Sequence, residues 1–269
     1  MRVLVMTDLA WRRLMRSRFL WVAVGVSVMG MFTLISGISL MLGMQKDGDA
    51  AGAAWVMQGL LAASITMQGV LVQLVAFVLG INVVRRDLVE GTVASVLSKP
   101  VSRGEYMAGC VLASGLFLLL MWAVFTLLLQ ALVVSLGGGL GWEHITAILS
   151  RVLVSWMAFA IALLVSMRLP AWPALFVAVL ITNGTGVLQA LVAVFKAVGF
   201  TLPAGTSFIP AIPFPITDEL DQLTEQLVSG VVDAEPVWLG VLHIADYTVV
   251  MIVLAWLWFR HVELSKARE

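Results

Sequence analysis

Of 269 residues, 61% are hydrophobic and 12% are charged, about half the roughly 25% of an average soluble domain. With a mean hydropathy of +1.03, a soluble globule of this length would lack the polar surface to cover itself. A soluble enzyme, a disordered chain and a nucleic-acid binder are therefore excluded, and the balance of 16 basic against 16 acidic residues points to no charged partner.

The chain reads as an all-α membrane protein, a single transmembrane domain over residues 1–269. Residues 1–18 carry Leu4, Val5, Leu9, Trp11 and Leu14 among five arginines. This pattern predicts a helix in the membrane interface, with Thr7 as a cap. A spanning helix needs about 20 apolar residues. Six runs meet this: Phe19–Leu42, Gly59–Val84, Tyr106–Leu136, Ile148–Met167, Trp172–Val198 and Val237–Phe259. The first is too long for a signal-peptide core, so it is read as an uncleaved anchor. The single cysteine, Cys110, excludes a disulfide within the chain and reads as a buried, inert thiol.

Placing the N-terminus inside puts 13 of the 16 basic residues on the cytoplasmic side. Only Lys46, Arg151 and Lys196 fall outside, so both termini are expected in the cytoplasm.

Residues 85–106, between the second and third spans, form the long charged cytoplasmic segment. Arg85 and Arg86 can snorkel at the end of span two. After Asp87, Val89, Val93, Val96 and Leu97 predict one apolar stripe on a short helix. Pro100 should end that helix at Lys99. Ser102 and Glu105 form a capping-box pattern that should start span three. Such a helix either rests on lipid or docks a soluble partner.

Further along, Gly137–Gly138–Gly139 and Gly141 predict a flexible turn. The external loop, residues 199–236, opens with four prolines. Thr217 then predicts the start of an amphipathic helix bearing Leu220, Leu223, Leu227 and Val228 on one face. Its acidic residues match no metal-loop spacing, so no metal site is expected.

The 85–106 segment resembles the signature of type-2 ATP-binding-cassette (ABC) transporter permeases. The resemblance rests on Glu90-Gly91-Thr92, Val96-Leu97-Ser98, Pro100, Ser102-Arg103 and Gly109. The family often has a lysine after that glycine, where this chain has Cys110. Six spans, internal termini, an N-terminal interfacial helix and a long last external loop extend the resemblance over the chain in outline. The resemblance implies the permease subunit of a transporter, an exporter more than an importer, in a bacterial or archaeal cytoplasmic (inner) membrane. Two copies of a separate cytoplasmic ATPase would carry ATP and Mg, while this chain, without a phosphate-loop motif, carries no cofactor and is not an enzyme. A second permease, as a homodimer, would complete the assembly within the lipid bilayer. The ATPase-docking residues implied are Asp87, Glu90, Gly91, Thr92, Val93, Val96, Leu97, Pro100 and Arg103, with 85–106 as a coupling helix.

Spans two and five would face the dimer axis, by the same resemblance. Gln68 and Gln73 in span two, and Asn183 and Thr185 beside Gly184 and Gly186 in span five, would then line a path. Ordinary helix–helix hydrogen bonding is the other reading of these residues. Asp246 in span six is an intramembrane charge with four readings: a pair with Arg151, a pair with Lys196, a neutral protonated acid, or a proton or cation site. Two other function classes compete: an ion-coupled carrier, which an inverted repeat would favour, and a permease-like subunit that passes force to an external partner.

Overall fold

The computed structural model describes residues 2–44, 50–89, 91, 93, 101–135, 142–184 and 234–261. Among these residues every regular element is a helix. In chain order they are α1 (Arg2–Met15), α2 (Arg18–Met44), α3 (Ala50–Asn82) and α4 (Arg85–Val89). Then follow α5 (Arg103–Ser135), α6 (Trp142–Ser166), α7 (Ala171–Thr182) and α8 (Ala234–His261).

Among the described residues four stretches are long and apolar enough to cross a bilayer: Ala63–Val89, Arg103–Ala131, Ala147–Ser166 and Gly240–His261. The pair α1 and α2, bent by 68°, supplies a fifth if counted as one span. Helix α7 is apolar but has only 12 residues. The remainder of the expected fifth span, Thr185 and Lys196 included, lies outside the described residues, as do the glycine turn at 137–141 and the external helix from Thr217.

Local chemistry accounts for the helix boundaries. The Ser102 N–H donates to Glu105 Oε2 at 2.8 Å, and the Glu105 N–H donates to Ser102 Oγ at 3.2 Å. The expected capping box thus starts α5. Pro170 stands at the N-cap of α7, after a turn that closes α6. Thr7, expected as a cap, instead lies inside α1, where its hydroxyl donates to the Val3 carbonyl at 2.9 Å. The helix starts one turn earlier because nothing in residues 2–6 opposes helical geometry.

Helix α6 is the hub. It packs most extensively against α3, and also against α8 and α7. Small side chains permit this, since lipid supplies no hydrophobic force between helices and close packing must do the work. Gly80 of α3 faces Phe159 and Ala162 of α6, while Ala158, Ala160 and Ala162 are fully buried. Polar groups add bonds across helices. The Ser27 hydroxyl of α2 donates to the Leu71 carbonyl of α3 at 3.2 Å, and the Trp122 indole of α5 to Ser155 Oγ of α6 at 3.2 Å.

Helix α1 lies along the first turns of α5. It buries Ala10 and Leu14, and Trp11 sits 6.0 Å from Phe117. Gly109 is what lets it approach, since a Cβ there would come within 2.5 Å of Met6 Cβ. Leu4 and Val5 stay exposed. The amphipathic segment expected at the interface therefore spends one face on the bundle and keeps the other for its surroundings.

Candidate functional site

Span ends that are far apart in sequence meet at one end of the bundle. Arg13 of α1 donates through Nη1 to Asp87 Oδ2 of α4 at 2.5 Å. The Tyr106 hydroxyl of α5 donates to the same oxygen at 2.5 Å. Asp87 is buried, as is Tyr106, whose ring stacks on Phe259 of α8 at 5.8 Å. Arg103 Nη1 donates to the carbonyls of Phe259 (3.3 Å) and Arg260 (2.7 Å), satisfying the C-terminal end of α8. Arg168, just after α6, sits 3.6 Å above the ring of Trp258. One carboxylate therefore ties α1, α4 and α5 together, and one guanidinium ties α5 to α8.

This node sorts the expected docking residues. Asp87 and Arg103, grouped with them on the resemblance, turn inward and brace the chain. Gly91 has φ 70° and its N–H donates to the Leu88 carbonyl at 3.2 Å. This left-handed turn follows the end of α4, and glycine alone adopts it without strain. It breaks the single apolar stripe expected through Val89 and Val93: Val89 is exposed on one side of the turn, and Val93 is buried on the other. Glu90, Thr92, Val96, Leu97 and Pro100 lie outside the described residues.

Two residues of the node were not singled out from the sequence, Arg13 and Tyr106. Arg13 carries a detectable signal. It shares the packed face of α1 with Met6, Ala10 and Leu14, and a charge on an apolar face needs a partner. Tyr106 is one of only two tyrosines, and nothing local marks it.

A second feature is an apolar groove of about 490 Å³ between α2, α3 and α7. Val26, Phe77 and Val179 are among its walls, and Gln73 and Asn183 are its polar members. The structure thus brings together two of the four expected path residues. Asn183 interrupts the helical run after α7, and its side-chain amide donates to the Val179 carbonyl at 3.0 Å. Gln68 lies elsewhere, fully buried, donating to Thr126 Oγ1 of α5 at 3.3 Å.

The expected pair between Asp246 and Arg151 does not form. Helix α8 turns Ile244, Thr248 and Ala255 inward and leaves Asp246 exposed. Arg151 lies instead along Gly69 of α3, with its Cδ 3.3 Å from where a Cβ would stand. Asp246→Asn is therefore expected to change the stability of the chain in detergent by less than about 0.5 kcal/mol. A larger drop in a thermal melt would mean that a group beyond the described residues, such as Lys196, holds this carboxylate. Among the described residues no group of three or more His, Cys, Asp or Glu side chains is placed to hold a metal ion.

Comparison with known proteins gives one family. Residues 8–264 match the family model described as ABC-2 family transporter protein. No curated protein matches the chain.

Proposed function

Because this chain belongs to the ABC-2 transporter family, we propose that it works as the permease of an exporter driven by a separate cytoplasmic ATPase. The observation that carries the reading is the family match across nearly the whole chain, residues 8–264. The node at Asp87 supports it by giving the 85–106 segment a rigid mount.

In this reading six helices cross the membrane, and the end bearing Arg13, Asp87, Arg103 and Arg168 faces the cytoplasm. Two copies of the ATPase bind ATP and Mg and serve two permeases. The part of the coupling segment that carries Glu90, Thr92, Val96, Leu97 and Pro100 seats in a groove of the ATPase. When the ATPase dimer closes, the push reaches α4. From Asp87 it passes to α1 through Arg13 and to α5 through Tyr106, and from Arg103 to α8. A short helix alone would bend under such a load. A carboxylate bonded to two other helices makes the segment move with them. The second permease would close the groove that holds Gln73 and Asn183, leaving two amides per chain along an otherwise apolar path.

The test is Leu97→Asp in a tagged permease. Burying a carboxylate in the contact should reduce the co-purifying ATPase at least about tenfold, the effect of only 1.4 kcal/mol. Undiminished co-purification with a folded permease would overturn the docking role.

A further inference from the structure

Helix α8 is the least enclosed of the four long apolar stretches: 22% of it is buried, against 44–72% in the others. Ile244, Thr248, Ala255 and Phe259 face the bundle. Asp246 lies on the outward face, six residues or about 9 Å inside the Gly240 end of the span Gly240–His261. Among the described residues no hydrogen bond or ion pair reaches its carboxylate. A charge at that depth facing lipid is costly, and intramembrane charges almost always face protein or pair with another charge. The outward face also has a pattern. His243, Asp246, Val250, Val253 and Leu257 recur at intervals of three and four. All five are exposed, the three apolar ones by 40–45%. This is the spacing with which one helix lays a seam along another.

We propose that this seam of α8 docks a membrane-spanning helix of another protein, one that carries an arginine or lysine level with Asp246. Charge complementarity selects the partner. A cation at that level neutralises the carboxylate, and the apolar half of the seam, Val250 to Leu257, packs against the rest of the helix. A second copy of α8 does not fit. Two copies share one orientation in the membrane, so α8 against α8 would set Asp246 beside Asp246. Arg151 of α6 does not serve either, since it lies along Gly69 of α3. The proposal does not depend on the transport reading, because docking is measured on this chain alone.

The experiment places the purified full chain in phosphatidylcholine vesicles with synthetic single-span helices of leucine and alanine. One helix carries arginine about 9 Å inside its end, and a second carries glutamine there. Binding is read by energy transfer from the tryptophans of the chain to a dansyl group on the helix. The arginine helix should bind about tenfold more tightly than the glutamine helix. Asp246→Asn should abolish that ratio and Asp246→Glu should keep it. Because Asp246→Asn is expected to leave the fold intact, its loss of preference reads charge rather than folding. Val253→Cys should form a disulfide with a cysteine on the arginine helix, whereas Phe176→Cys, on the exposed side of α7, should not. The native Cys110, 3% exposed, does not compete. Equal binding of the two helices, the result expected if a group such as Lys196 already holds the carboxylate, would overturn the proposal. So would an undiminished ratio in Asp246→Asn, or equal crosslinking at Phe176→Cys. Crosslinking of Val253→Cys to itself without any added helix would overturn it in favour of a second copy.

Discussion

Asp87→Ala is expected to destabilise the chain by about 2–3 kcal/mol, below the full 3–5 kcal/mol for removing one partner of a buried ion pair. The discount follows from geometry: the Asp87 side chain is 11% exposed, but that of Arg13 is 35% exposed, so water screens part of the charge left behind. The loss has a convenient reporter. Cys110 lies one turn after Tyr106, beneath α1, and is 3% exposed. It is the only cysteine in the chain. Opening of α1 from α5 should expose it, so maleimide labelling in the variant should run about 30- to 100-fold faster than in the native chain. Asp87→Asn keeps an acceptor for Tyr106 and should fall between the two. Replacing both Arg13 and Asp87 by leucine should cost less than Asp87→Ala alone, because neither a charge nor a cavity remains. An unchanged labelling rate in Asp87→Ala would show that the node does not hold α1 in place.

Gly80→Val should be at least as damaging, by a different route. A Cβ at position 80 would stand 2.5 Å from the Phe159 carbonyl oxygen, 2.7 Å from Ala162 Cβ and 3.0 Å from the Leu163 nitrogen. Two of these atoms are backbone and cannot rotate aside. Helices α3 and α6 must then separate along their contact, and the 3.4 Å bond from Ser166 Oγ to the Gly80 carbonyl goes with it. The expected cost is about 3 kcal/mol, at the top of the overpacking range, because the strained pair is the most extensive in the bundle. Gly25→Ala is the matched control. Nothing lies within 4 Å of its added carbon, so the melting temperature in detergent should not fall. If Gly80→Val melts with the native chain, the close approach of α3 and α6 is wrong.

Short-range features of this protein were legible because the interacting groups lie within a turn of each other. The Ser102–Glu105 capping box spans three residues, and the break before α7 needs only Pro170. The signature around Glu90-Gly91-Thr92 likewise led to the right family, since it is a local pattern. The single apolar stripe through Val89 and Val93 failed for a reason also present locally: Gly91 takes a positive φ and ends the helix between them. At Gly91 the property in use is the backbone freedom of glycine.

Composition by itself determined that this is a helical membrane protein, and hydropathy located its apolar helices. In lipid the backbone must satisfy itself within each segment, so length and apolarity suffice for that conclusion. Which faces pack was decided only by the tertiary structure. In water a helix shows its buried face by its apolar residues, but a spanning helix is apolar all round. Val70 is 52% exposed while Val72 and Val75 on the same helix are fully buried, and no difference in chemistry marks them. Partners of the charged groups were equally hidden. Arg13 and Asp87 are separated by 74 residues, and Arg103 and the Arg260 carbonyl by 157. Asp246 and Arg151 look complementary in sequence, yet helix rotation turns one outward and lays the other against Gly69. Rotation and tilt follow from where small residues let helices approach, and that is a property of pairs of helices rather than of any one segment.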